Sequence, residues 1–165
     1  MRFFALTRGG LLAAALLGAG LTGAQAADAA ASNSQASAIK RYASDSPMPF
    51  SRAVQAGGFL FLSGQIPIND KGEIVRGSIQ DQTNAALDRI EETLALAGAD
   101  LSNVVKANVW LSDMALFDEF NKTYKERLGS NFPTRSLVQS KLAAGVDVEI
   151  EFQAWIGDKA PPAKK

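Results

Sequence analysis

Three short segments carry the side chains best suited to chemistry. Phe132-Pro133-Thr134-Arg135-Ser136 places an arginine two residues past a proline, at the start of an extended run. A guanidinium is a planar fork whose paired N–H groups bind a carboxylate bidentately. Val148-Glu149-Ile150-Glu151 sets two carboxylates in an alternating run, and a carboxylate can hold a water, polarise it and accept its proton. Ser63-Gly64-Gln65-Ile66-Pro67 follows a strand-like run, and a glycine there lets a ligand approach the backbone closely. Each segment also has a plainer reading. Arg135 has the look of a solvated strand end, Glu149 and Glu151 of the polar side of a half-buried strand, and Ser63-Gly64 of an ordinary strand exit.

The composition narrows what chemistry is available. The 165 residues include 17 Lys+Arg, 17 Asp+Glu, no His and no Cys. A Ser-His-Asp triad, a cysteine nucleophile and any thiolate or imidazole metal site are therefore excluded. Without disulfides the fold must be held by a packed core alone. A formal net charge of zero is a poor footprint for nucleic acid, which asks for a basic surface. An apolar content of 47% is that of a globular protein, and the length suits one domain.

The elements that must position these residues can be read from periodicity. Two strand-like runs between Ser51 and Ser63 are broken by Gly57-Gly58, a hairpin signal. Asn69-Asp70-Lys71-Gly72 is a second turn. Apolar residues at 79, 86, 87, 90, 94 and 97 share one face of a helix that Gly98 stops. Val104 to Leu111 is β-branched and aromatic, hence a strand. Phe117, Phe120, Tyr124 and Leu128 define a second helix, ending near Gly129. An extended run from Thr134 to Lys141 and a turn at Ala143-Ala144-Gly145 follow. From Val146 to Ile156 the chain alternates, with Asp147, Glu149, Glu151, Gln153 and Trp155 on the more polar face. The order ββ-α-β-α-ββ predicts an α+β sandwich, with both helices on one face of a mixed sheet. A Trp among carboxylates suggests that another subunit covers part of that face.

The two ends of the chain read differently. Residues 1–26 have a positive start at Arg2 and Arg8, an uncharged apolar run from Leu11 to Gly23, and a small-x-small site at Ala24-Gln25-Ala26. This is the pattern of a cleavable signal peptide, and about 13 apolar residues fall short of the roughly 20 that span a bilayer. No Cys is available for lipidation, and no twin-Arg motif is present. Cleavage after Ala26 would place the protein in the periplasm or outside the cell, with no membrane attachment. The mature chain then carries a formal charge of −2. Residues 27–38 are read as a flexible arm, residues 39–156 as the folded domain and residues 157–165 as a disordered tail.

Taken together and in order, SGQIP, VVKANVWLSDM, FPTRS and VEIEFQA resemble the RidA (YjgF/YER057c/UK114) family over the whole of residues 39–156. The resemblance implies a chorismate-mutase-like α+β fold that assembles as a homotrimeric barrel, with ligand clefts between subunits. It implies hydrolysis of reactive 2-imino or enamine acids to 2-keto acids and ammonia, without metal or organic cofactor. The family's carboxylate-binding arginine matches Arg135 and its water-holding glutamate matches Glu149. Its ligand-loop Ser-Gly matches Ser63 and Gly64, and the asparagine of its second helix matches Asn121 of FDEFNKTY. Phe132 would wall the cleft. Two positions depart from the pattern. Phe50 stands where deaminase-type members commonly carry Tyr, and Leu137 stands where a small polar residue, often Cys, follows R-S. Both make the expected pocket more apolar. These changes keep open a non-catalytic periplasmic protein that binds or senses a small carboxylate. A chaperone-like protein, which would not need Arg135, is a further reading. A nuclease is disfavoured by the missing His, the missing metal cluster and the acidic mature charge.

Overall fold

The structure is a computed structural model, and it describes residues 39–157. The expectations for residues 1–26, 27–38 and 158–165 lie outside the described residues. The elements run β1 (Lys40–Tyr42), β2 (Ala53–Ala56), β3 (Phe59–Leu62), α1 (Ile79–Leu96), β4 (Val104–Leu111), α2 (Phe117–Leu128), β5 (Thr134–Gln139) and β6 (Val148–Trp155). Gly57 and Gly58, at φ 54° and 80°, make the tight turn between β2 and β3 that L side chains resist. Ser78 caps α1 reciprocally: its Oγ accepts from the Asp81 N–H at 3.1 Å, and its own N–H donates to Asp81 Oδ2 at 3.3 Å.

The six strands form one sheet in the order β1-β2-β3-β6-β4-β5. Only β4 and β5 run parallel; the other pairs are antiparallel. Parallel neighbours need a crossover, and α2 supplies it, so β5 begins beside β4 and beneath α2. Both helices cover one face of this mixed sheet, as the sequence order predicts. Leu87, Ile90 and Leu94 of α1 and Phe120 of α2 are fully buried against Val109, Leu111, Val148, Ile150 and Phe152. Burial along β6 alternates residue by residue, with Val148, Ile150, Phe152 and Ala154 inward. The other face of the sheet carries no helix among the described residues. Phe59, Phe61 and Trp155 stand exposed on it in mutual contact, with ring centroids 6.1 Å apart for Phe59–Phe61 and 4.8 Å for Phe59–Trp155.

Three details differ from the sequence reading. β1 is an additional edge strand, pairing Lys40 with Gln55 and Tyr42 with Ala53. β5 ends at Gln139 rather than Lys141, and β6 spans Val148–Trp155 rather than 146–156.

Candidate functional site

Strand register decides which candidate residues can meet. On β5, Arg135 pairs with Ala107 and Leu137 with Val109, both buried on the helix-covered face. On β6, Glu149 pairs with Trp110 and Glu151 with Asn108 on the open face. A one-residue difference in parity is a difference of side. Arg135 and Glu149 therefore project from opposite faces of the same sheet.

On the helix side, Arg135 forms a site with α2. Its guanidinium carbon lies 4.9 Å from the Tyr124 ring centroid and 5.6 Å from that of Phe120. Two aromatic faces hold the cation without neutralising it. The other internal arginines are engaged. Arg52 pairs with Glu92 at 2.6 Å, Arg127 with Glu91 at 2.6 Å and Asp88 at 2.8 Å, and Arg89 donates to the Gln65 side-chain oxygen at 3.2 Å. The Arg135 guanidinium makes no hydrogen bond or ion pair with any described residue. A cavity of about 350 Å³ opens beside it, lined by Asn121, Tyr124, Lys125, Phe132, Pro133 and Arg135. Asn121, Phe132 and Arg135 are thus brought together. Burial pushes the Tyr124 phenol up to about 12, partly offset by the charge of Arg135, and its hydroxyl has no partner among the described residues.

On the open side, Ser63, Gly64 and Glu149 come together. A Cβ on Gly64 would overlap Glu149 Oε1 and stand 3.2 Å from its Cδ, so only glycine leaves the carboxylate in place. Desolvation, with the neighbouring Glu151 charge second, holds the Glu149 carboxyl above its ordinary 4.5. Glu151 accepts from Asn108 Nδ2 at 3.4 Å, whereas Glu149 has no hydrogen-bond partner among the described residues. The Ser63 hydroxyl donates to the Ser51 carbonyl at 2.7 Å, which keeps its lone pairs free to accept. A carboxylate with a raised pKa beside a bare backbone can bind and deprotonate a water.

The two positions that depart from the family pattern sit outside both groups. Leu137 packs on the rim of the core beside Val109. Phe50 is exposed in the segment between β1 and β2 and does not line the Arg135 cavity. Tyr124, Lys125 and Gln65 are the neighbours that the sequence does not single out. Tyr124 reads there as core, which it also is. The signal that it matters is its spacing of three from Asn121, which sets both on one helix face.

Comparison with known proteins follows the same outline. Residues 40–156 match the family described as Endoribonuclease L-PSP. A RutC family protein of Pyrococcus horikoshii is 46% identical over 109 residues, covering 65% of this chain and 86% of that protein. The human 2-iminobutanoate/2-iminopropanoate deaminase is 38% identical over 111 residues, covering 66% and 81%. The crystal structure of yeast Mmf1 superposes with a TM-score of 0.69 at 31% identity, covering 73% of this chain and 100% of that one.

Proposed function

The chain belongs to the RidA (YjgF/YER057c/UK114) family, whose domain is the one described as Endoribonuclease L-PSP, and from that premise we propose that it hydrolyses 2-imino acids to 2-keto acids and ammonia. The observation that carries the reading is Arg135: an unneutralised guanidinium, seated on two rings, facing a small cavity that also holds Asn121 and Phe132. That is a receptor for one carboxylate with a compact organic body.

Because Arg135 and Glu149 lie on opposite faces, a cleft holding both needs two copies of the chain. The homotrimer meets that need, since a rotating head-to-tail contact sets the helix-side edge of one subunit against the open face of the next. The exposed Phe59, Phe61 and Trp155 are apolar surface that such a contact would bury. In the assembled cleft, Arg135 fixes the substrate carboxylate and so places the imine carbon. Glu149 of the neighbouring subunit orients a water. The water oxygen bonds to the imine carbon, the C=N π pair moves to nitrogen, and one water proton passes to Glu149. Glu149 returns that proton to the carbinolamine nitrogen; the C–N bond then breaks as the oxygen re-forms C=O, ammonia leaves, and the hydroxyl proton passes to the departing ammonia or to water, which leaves the ketone and the free carboxylate. Ser63 offers an acceptor and Asn121 an amide to the bound substrate, while Phe132 walls the cavity. No step calls on a metal or organic cofactor.

The expected location is the periplasm or beyond, following cleavage after Ala26, and the imines would arise there from amino-acid oxidation. The test uses residues 27–165 with 2-iminopropanoate and bulkier imino acids generated in situ by an amino-acid oxidase. Keto-acid formation that disappears in Arg135→Ala supports the deaminase. A folded trimer that binds 2-oxobutanoate without turning over any imine would instead be a carboxylate-binding protein.

A further inference from the structure

The polar groups of the Ser63-Gly64 loop can be accounted for one by one. The Ser63 N–H donates to the Arg52 carbonyl at 3.1 Å and the Gln65 N–H to the Ile150 carbonyl at 2.8 Å. The Ser63 and Gly64 carbonyls both accept from one donor, the side-chain amide of Gln65, at 2.9 and 3.1 Å. Gln65 is itself buried, and Arg89 Nε on α1 donates to its Oε1 at 3.2 Å. That bond fixes which way round the amide lies, because the oxygen must face Arg89 and the nitrogen the loop. The one backbone donor left over is the Gly64 N–H, which has no partner among the described residues.

Its direction follows from the peptide plane. In a trans peptide the N–H and C=O point opposite ways. Gln65 draws the Ser63 carbonyl toward the helix-covered interior, so the Gly64 N–H of the same peptide turns toward the open face, where Glu149 lies against Gly64. We propose that Gln65, locked by Arg89, is a positioning residue that aims the Gly64 N–H at the oxygen of the water held by Glu149. The inference rests on the imine-hydrolase reading. Glu149 takes a proton from that water, and the Gly64 N–H donates to the oxygen that becomes the carbinolamine hydroxyl. Two fixed partners define the place of the nucleophile, where a lone carboxylate would let it swing. A half-buried arginine on α1 thus acts on the chemistry through a single buried amide.

The test compares wild type, Gln65→Glu and Arg89→Met in steady-state imine hydrolysis, with thermal midpoints measured in parallel. Gln65→Glu keeps an acceptor for Arg89 but loses the donor, so the two carbonyls are repelled and the peptide is released. A misplaced donor lowers kcat by about 10²-fold, and KM stays within about twofold because Arg135 still binds the carboxylate. Arg89→Met leaves the amide free to flip and gives a smaller fall in kcat, roughly tenfold or less, again without a KM change. Should Gln65→Glu fail to fold, Arg89→Met alone decides the matter. Variants with wild-type kcat overturn the positioning role and leave the hydrolase intact. Equal losses in kcat and thermal midpoint, repaired together by lower temperature, assign the pair a purely structural role and also overturn it. An inactive wild type overturns the hydrolase reading, and this inference with it.

Discussion

Gly64→Ala isolates the contact between the loop and Glu149. The backbone at Gly64 is not in the left-handed region, so alanine fits without conformational strain. What it cannot do is coexist with the Glu149 carboxylate, whose Oε1 lies where the new methyl would be. Restoring ordinary van der Waals separation requires the carboxylate to retreat by roughly 1 Å. A displacement of that size costs about 10²-fold in rate, or about 2.7 kcal/mol of transition-state stabilisation. Stability should change by less than about 1 kcal/mol, because Glu149 has no partner to lose and the side chain swings toward solvent. Purified Gly64→Ala and wild type would be compared for kcat and KM on 2-iminobutanoate, with chemical denaturation as the control. KM should hold, since the substrate carboxylate is held by Arg135 of the neighbouring subunit, which the new methyl does not displace. Wild-type kcat in a folded Gly64→Ala protein would show that the position of Glu149 is irrelevant to turnover, and the proposed water site would have to be abandoned.

Other substitutions probe the remaining parts. Arg135→Lys should lose turnover as completely as Arg135→Ala, because an ammonium lacks the planar fork; steady-state assays of both variants check this. Glu149→Gln should raise the thermal midpoint at pH 7 while removing activity. The native carboxyl is held above 4.5, so charging it opposes folding, and the advantage of Gln should fade as pH falls toward 4.5 and vanish below it. Tyr124→Phe should keep both activity and stability, since the hydroxyl has no partner. Tyr124→Leu removes one of the two rings beneath Arg135 and should raise KM by up to roughly fivefold, the worth of about 1 kcal/mol of cation–π attraction. If the proposed trimer forms through the open face, Phe61→Asp there should convert it to monomers in light scattering and abolish activity with it.

The sequence was most legible where a pattern is local. The helix faces around Ile90 and Phe120, the Gly57-Gly58 turn and the alternation of β6 all follow from spacings of two to four residues. β1 was invisible because only Tyr42 of its three residues is buried, and its existence depends on β2 lying alongside. The ends of β5 and β6 do not stop at a clear break in the sequence, and backbone bonds continue just past them, from the Ser140 N–H to the Leu111 carbonyl and from the Ile156 N–H to the Gly58 carbonyl. FPTRS and VEIE pointed to Arg135 and Glu149, but not to the sheet lying between them. That separation comes from β6 inserting between β3 and β4 and from α2 forcing β5 parallel to β4, neither of which is encoded in any short window. Gln65 is hard to read from sequence for a similar reason. Within SGQIP it reads as turn punctuation, and only the arrival of Arg89 from α1 gives its amide a direction.

The placement of Arg135 and Glu149 on opposite faces also has a genetic meaning. In the proposed trimer each cleft borrows its arginine from one polypeptide and its glutamate from the next. Two alleles, one lacking the arginine and the other the glutamate, are each inert alone, yet co-expressed they would regenerate whole clefts in about a quarter of random neighbour pairings. Two different lesions in this one gene can thus complement each other. Inheritance at this locus is then a property of the assembly.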